Sequence, residues 1–219
     1  MAAEQVGVGT GRWEDGHGAP DRPVLGWRLW RVDGERLRSW SVHHHWTPGA
    51  NVAACRSADG PCGATPGRHC QCGFWALWSP LRCLENAQWH GEPPWHVMGL
   101  VAGWGVVARH GTEGFRAQHA SVMCLFTDWA GSAPIPVPGD GFLARWTNWV
   151  RGGRLRRRFR PGGDANPDRL PALRAVAASY GIPLVSLQGA LDLHVLGEWG
   201  VPTDRIHEVR AWVEAVNAG

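Results

Sequence analysis

Residues 55–76 read Cys-Arg-Ser-Ala-Asp-Gly-Pro-Cys-Gly-Ala-Thr-Pro-Gly-Arg-His-Cys-Gln-Cys-Gly-Phe-Trp-Ala, and this stretch is the most informative part of the sequence. It holds four cysteines, Cys55, Cys62, Cys70 and Cys72, separated by six, seven and one residues. The glycines and prolines between them let the chain turn back at low steric cost, so distant thiols can converge. Four thiolates form a complete tetrahedral ligand set for zinc. The stretch therefore predicts a structural zinc site in a loop.

The spacing of these cysteines leaves alternatives open. A zinc finger or ribbon usually carries C-x-x-C pairs, whereas here the tight pair is Cys70-x-Cys72. Either His69 or one of His43–His45 can replace a cysteine as ligand. Unconnected core cysteines, or a redox or disulfide role, are the remaining interpretations. If all four thiolates bind, the shell is closed, and a closed shell favours a structural over a catalytic metal.

The composition is that of a globular protein with an unusual choice of residues. The chain has 219 residues with 15 tryptophans and a single tyrosine, and its 22 basic residues are all arginine. A GC-rich genome accounts for this bias more simply than recognition by arginine and tryptophan does. The start shows no apolar leader, and the apolar run Val97–Val107 is too short to span a membrane. We therefore expect a cytoplasmic protein without membrane contact, in which clustered cysteines favour metal over disulfides.

Working outward from the cysteine stretch, alternating patterns predict strands on both sides of it. Asp33-Gly34 is a turn signal between two such strands, and the residues from His110 to Gly114 are another. The predicted strands are Leu25–Val32, Leu37–Val42, Gly73–Trp78, Val97–Arg109 and Phe115–Phe126. This part of the chain is therefore expected to be an antiparallel, β-rich domain that includes the cysteine loop.

The last quarter of the chain shows helical spacing instead. Asn166-Pro167 can begin a helix that runs to Tyr180, with Gly181 at its end. Two further helices are predicted, Leu187–Trp199 capped by Ser186, and one capped by Thr203 with Ile206, Val209, Val213 and Val216 on one face. The fold class is α+β. We divide the chain into a flexible tail at 1–23, a β-rich zinc-loop domain at 24–145, a basic Arg/Gly connector at 146–165 and a helical segment at 166–219.

The connector carries the strongest local charge in the sequence. Six arginines and no acidic residue lie within ten residues, against a net charge of +3 for the whole chain. They are Arg151, Arg154, Arg156, Arg157, Arg158 and Arg160. Such a segment can bind phosphates of a nucleic acid or an acidic protein. The alternative is a solvated linker in an arginine-biased protein.

A search for enzyme motifs gives two weak candidates. His90-Gly-Glu92 matches the beginning of the zinc-deaminase signature, but no P-C-x-x-C follows it. His110, Glu113 and His119, with Arg116, crowd around one predicted turn and can form a polar site. No P-loop, G-x-S-x-G or H-E-x-x-H motif is present. A metal-dependent, hydrolase-like enzyme using these groups is therefore the alternative and not the leading hypothesis.

Two stretches resemble a group of small, uncharacterised actinobacterial and actinophage proteins. The first is Trp46-Thr-Pro-Gly49 with Cys55 and Cys70-Gln-Cys72-Gly73-Phe-Trp-Ala76; the second is Gly103-Trp-Gly-Val-Val-Ala-Arg-His110 with Gly114-Phe-Arg-Ala117. The resemblance covers roughly residues 25–126. It implies that the cysteine loop and the second hairpin belong to one domain, and it implies no activity.

Together these patterns favour a non-enzymatic, zinc-stabilised binding protein whose partner is a nucleic acid or another protein. A third hypothesis is a structural subunit of a larger assembly that presents its tryptophans on an exposed face.

Overall fold

A computed structural model describes residues 22–39, 42–55, 60–63, 65–67, 70–80, 82–83, 96–127 and 169–217. Its strands are β1 (Val24–Asp33), β2 (Arg36–Ser39), β3 (Asn51–Val52), β4 (Phe74–Leu77), β5 (His96–His110), β6 (Gly114–Phe126) and β7 (Leu184–Val185). Its helices are α1 (Arg169–Tyr180), α2 (Leu187–Asp192), α3 (Val195–Glu198) and α4 (Thr203–Asn217). All strands belong to one sheet, mostly antiparallel, so the α+β prediction is confirmed. Within these residues, no helix has the length and apolarity that a membrane crossing requires.

Both predicted hairpins form. Gly34, in the turn between β1 and β2, has a φ of +60°, which glycine adopts without strain. β2 ends at Ser39, three residues before the predicted end. The chain reverses there, because the Ser39 amide donates to the His44 carbonyl at 2.8 Å. The Ser39 hydroxyl, facing inward, accepts from the Trp46 indole at 2.9 Å.

The four strands β1, β5, β6 and β4 close into a ring. β5 pairs with both β1 and β6, β4 pairs with β6, and a single register pair, Trp27 with Leu77, joins β4 back to β1. The interior is filled by the ring of Phe115, which is 1% exposed. A Cβ at Gly103 would lie 2.5 Å from that ring, and one at Gly26 would lie 2.7 Å from it. The closure therefore depends on glycines at these two positions.

β3 and β4 lie along the same edge of β6, one after the other. β3 pairs with Ala120 and His119, and β4 pairs with Ala117 to Gly114, both antiparallel. Gln118 is the one β6 residue between the two pairings, and its carbonyl accepts from the Ala53 amide at 2.8 Å. The cysteine loop thus connects β3 to β4, which lie end to end along β6 like one interrupted strand.

Helices cover the sheet on two sides. On one side, α1 places Leu173, Val176 and Tyr180 against a buried cluster that includes Trp30 and Phe115. The Tyr180 hydroxyl accepts from the Leu37 amide and donates to the Trp46 carbonyl, so it fixes α1 to the first hairpin.

On the other side, α2, α3 and α4 pack on a second cluster of apolar side chains from β1, β5 and β6. Its sheet residues are Trp27, Leu29, Met98, Leu100, Cys124 and Phe126, and its helical residues include Leu191, Leu196 and Val209. β7 also pairs with β6 in parallel, at Leu125 with Leu184. The helical segment therefore completes the hydrophobic core of the β-rich part.

The prediction of one helix at Leu187–Trp199 is wrong. The segment forms α2 and α3, because His194 adopts a left-handed backbone with φ 57° and interrupts the helix between them. Ser186 does cap α2, since its side chain accepts from the Gly189 amide at 2.8 Å. The predicted tail at 1–23, except for its last two residues, and the connector at 146–165 lie outside the described residues.

Candidate metal centre

The sulfur atoms of Cys55, Cys62, Cys70 and Cys72 converge. All four lie within 4.8 Å of one another. The sulfur atoms of Cys55 and Cys70 are 3.4 Å apart, and those of Cys62 and Cys72 are 3.2 Å apart. These separations exceed the ~2.05 Å of a disulfide, and none of the four cysteines is in a disulfide. With Zn–S bonds of about 2.3 Å, the edge of a regular tetrahedron is ~3.8 Å, so the cluster fits a tetrahedral thiolate-bound metal.

The sheet fixes both ends of the loop that carries the cysteines. Cys55 follows β3 by three residues, and Cys72 precedes β4 by two. The amide of Gly67 donates to the Cys72 sulfur at 3.3 Å. Gly73 has a φ of +112°, and a Cβ there would lie 3.1 Å from the side chains of Arg116 and Pro66. The glycine after the C-x-C pair is therefore needed where the loop enters the strand.

Arg116, from the middle of β6, is the residue that holds the loop in place. Its side chain is 0% exposed. One terminal nitrogen, Nη1, donates to the carbonyl of Cys70 and, at 3.0 Å, to that of Cys72. The other, Nη2, donates to the carbonyl of Gly67 at 3.5 Å. A single guanidinium therefore satisfies three carbonyls of the metal loop, which only arginine's fork of donors can do.

The same guanidinium contributes to the electrostatics of the cluster. Burial lowers the pKa of Arg116, while the neighbouring cysteines Cys72, Cys70 and Cys62 raise it. A divalent metal with four thiolates carries a net charge of −2, and a buried cation beside it offsets half of that. In the thiol form, burial raises the pKa of Cys72, and its hydrogen bonds with Cys62 and Cys70 act in the same direction. The geometry therefore favours thiolates only when a cation is bound among them.

Two ring side chains flank Arg116. Its guanidinium lies 5.3 Å from the ring centre of Trp75, which stacks on His110 with 4.5 Å between centroids. Arg116 Nε donates to His110 Nε2 at 2.9 Å, so Nε2 is the unprotonated nitrogen of a neutral imidazole. Burial, followed by the Arg116 charge, lowers the pKa of His110. His110 thus contacts Arg116, the residue that supports the loop.

The polar set predicted around the second turn does not form one site. His110 contacts Arg116, whereas His119 stacks on Trp104 with 5.8 Å between centroids. His119 lies five residues along β6 from Gly114, the partner of His110, or roughly 16 Å away. Glu113 contributes backbone bonds to the turn, its carbonyl accepting from Trp78. Among the described residues, this set therefore forms no catalytic arrangement.

The structure also decides between some of the ligand alternatives. His45 Nε2 lies 3.1 Å from Asp33 Oδ2, and the ring of His44 packs on Phe74 with 5.5 Å between centroids. In the part of the chain described, the cluster of side chains that could hold a metal ion consists of the four cysteines. His69, the His90 and Glu92 pair, and the arginines from Arg151 to Arg160 lie outside the described residues.

Arg116 is the supporting residue that sequence reasoning missed. In the sequence it lies close to the polar turn residues His110 and Glu113, but Gly114-Phe-Arg-Ala117 places it inside a strand between apolar neighbours. An arginine in such a strand signals a buried partner with several acceptors. The remaining cysteines, Cys83 and Cys124, are buried core residues, 1% and 0% exposed.

Comparison with known proteins gives no relative from which a function could be transferred. No protein-family model, no curated protein and no solved structure matches the chain.

Proposed function

We propose that the protein is a non-enzymatic binding protein whose cysteine loop is closed by one structural zinc ion, with a nucleic acid or an acidic protein as partner. The observation that carries the proposal is the convergence of four sulfurs within 4.8 Å. Zinc is the proposed metal because an all-thiolate, near-tetrahedral set matches its preferred coordination. Cys55, Cys62, Cys70 and Cys72 would be the ligands.

A structural role is favoured because the four thiolates leave no coordination position for water or substrate. The loop is also tied to the sheet through hydrogen bonds from Arg116 to the carbonyls of Gly67, Cys70 and Cys72. A metal at this point joins two ends of an interrupted strand. The role of the metal would be to hold the loop against β6.

Elemental analysis of the purified chain tests the metal. We expect one zinc per chain, lost in Cys62→Ala and Cys72→Ala and retained in the matched control Cys83→Ala, whose thiol is buried in the core. At a free zinc concentration ~1,000 times Kd, binding stabilises by about 4 kcal/mol. Chelation should therefore lower the Tm by roughly 10 °C. A chain that contains no zinc and melts at the same temperature with and without chelator would refute the proposal.

A further inference from the structure

A cleft lies between the ring of strands and the C-terminal helices, beside the register pair Trp27 and Leu77 that closes the ring. Its volume is about 330 Å³, which is the liquid volume of roughly eleven water molecules. Sites for small ligands usually measure ~300–1,000 Å³. The cleft therefore has the size of a site for a small molecule.

The buried part of the cleft lining is apolar. Trp27 and Leu100 come from the sheet, Val201 comes from the segment before α4, and all three side chains are buried. Leu25, which packs against the same apolar cluster, also lines the cleft. An apolar ring placed against these residues would leave water, and burial of apolar surface is the main source of affinity for small ligands.

Trp78 gives the cleft an aromatic side, and its indole ring is held in a fixed orientation. The indole Nε1 donates to the carbonyl of Gly111 at 3.0 Å, and the backbone amide of Trp78 donates to the carbonyl of Glu113 at 3.0 Å. The ring also packs on Phe115, with 5.2 Å between the centroids. Because the indole is already ordered, it loses little freedom when a planar ligand packs against it.

Three charged side chains line the cleft, those of Arg109, Arg205 and Asp204. Arg205 is engaged by acidic groups, since it lies 3.1 Å from Glu208 and 3.7 Å from Asp204. Arg109 is exposed, and within the parts of the chain that the structure describes its guanidinium makes no hydrogen bond and no ion pair. The lining therefore has one positive charge in excess, and Arg109 is the cation available to a ligand.

We propose that this cleft binds a small aromatic carboxylate, with its ring against Trp78 and its carboxylate on Arg109. A guanidinium matches the planar carboxylate with two parallel hydrogen bonds. The carboxylate of Asp204 opposes a second negative charge, which favours a monoanion over a phosphate dianion. The cleft shares no residue with the cysteine loop, so this inference goes beyond the proposed function and does not depend on it.

The test is a ¹⁵N NMR titration of the full chain with sodium 2-naphthoate, followed at the Nε1–H resonance of Trp78. The spectrum of Trp78→Phe assigns this resonance by its absence. Two analogues with the same ring system vary the charge, the neutral 2-naphthamide and the dianionic 2-naphthyl phosphate. Arg109→Gln removes the cation, and Asp204→Asn removes the carboxylate. The matched control is Arg174→Gln, an exposed arginine of α1 with the same change of charge.

We expect 2-naphthoate to shift the Trp78 resonance in a saturable way, with a Kd on the order of 1 mM or tighter. The naphthamide, and 2-naphthoate with Arg109→Gln, should bind about five- to tenfold more weakly. Arg174→Gln should stay within about twofold, and Asp204→Asn should bind 2-naphthoate more tightly. The naphthyl phosphate should bind no more tightly than 2-naphthoate.

Each of three results overturns the proposal. The first is no saturable shift at Trp78 up to about 10 mM 2-naphthoate, or an unchanged Kd in Arg109→Gln. The second is equal binding of 2-naphthamide, which would make the cleft a site for an apolar group such as a partner's side chain. The third is tighter binding of the naphthyl phosphate, which would make it a phosphate site. Zinc content measured on the same samples shows separately whether the metal site stands.

Discussion

Replacement of Arg116 by leucine is the sharpest perturbation that the metal centre offers. The substitution keeps an apolar stem in a fully buried position and removes the guanidinium that holds Gly67, Cys70 and Cys72. These carbonyls would lose their donor inside the protein, where water replaces it poorly. Breaking a buried charged network of this kind costs about 3–5 kcal/mol. For a chain of this length, the Tm should fall by roughly 10 °C.

The same substitution should weaken zinc binding, because the loop loses its support and the thiolates lose the nearby cation. Changes to groups that orient metal ligands typically cost about 10–100-fold in metal affinity. Competition with a chromogenic chelator measures this Kd directly. Arg116→Lys separates the two causes, since it retains the charge but not the fork of donors. We expect lysine to recover less than half of the lost affinity.

Arg109→Leu is the matched control, because Arg109 is an exposed arginine on β5, beside Phe115 in register. Its zinc affinity and Tm should remain close to those of the unmodified chain. Tryptophan fluorescence and near-UV circular dichroism would confirm that each variant is folded when zinc is added. If folded Arg116→Leu bound zinc within threefold of the original Kd and melted within about 2 °C of it, the supporting role of Arg116 would be wrong.

Three further outcomes follow from the fold. Gly103→Ala should lower the free energy of unfolding by about 1–3 kcal/mol in a denaturant titration, because its Cβ would lie 2.5 Å from the Phe115 ring; a stability unchanged from the original would contradict the closed ring. Tyr180→Phe should cost about 1–3 kcal/mol by the same measurement, since it leaves the Leu37 amide without an acceptor. The pKa of Tyr180 is raised mainly by burial, so the phenol is neutral in the folded protein and ionises more readily in the unfolded chain. The stabilisation of the fold by this hydroxyl is therefore full below a pH of about 10 and is lost as the pH rises further. The difference between the original chain and Tyr180→Phe should therefore shrink in alkali, and a constant difference would contradict this reason.

Local patterns predicted most of the secondary structure. The strand alternation around Asp33-Gly34 and between Val97 and Phe126 predicted two hairpins, and the observed strand bounds differ from the predicted ones by only a few residues. This works because turn chemistry and strand period are properties of neighbouring residues. The cysteine cluster was predictable for the same reason, since its ligands lie within one short loop. The likeness to uncharacterised actinobacterial proteins stays a prediction.

Features that depend on distant contacts could not be predicted. The ring of strands closes through Trp27 and Leu77, which are fifty residues apart in the sequence. The residues around Gly26 and Gly103 do not indicate that the Phe115 side chain fills the interior. The break at His194 has no glycine or proline to mark it, so helical periodicity was extended through it. The carbonyl partners of Arg116 could not be identified from the sequence, because they are 44 to 49 positions away.

The interrupted strand formed by β3 and β4 has a consequence for how the chain can change. Because only Gln118 separates the two pairings on β6, the residues before and after the cysteine loop leave and rejoin the sheet at nearly the same point. Insertions or deletions within such an excursion alter no strand register, and lengthening a loop costs little entropy. The cysteine-bearing segment is in this sense a self-contained module. It can be shortened, exchanged or transplanted into another antiparallel edge, provided that the facing strand supplies an arginine at the position of Arg116.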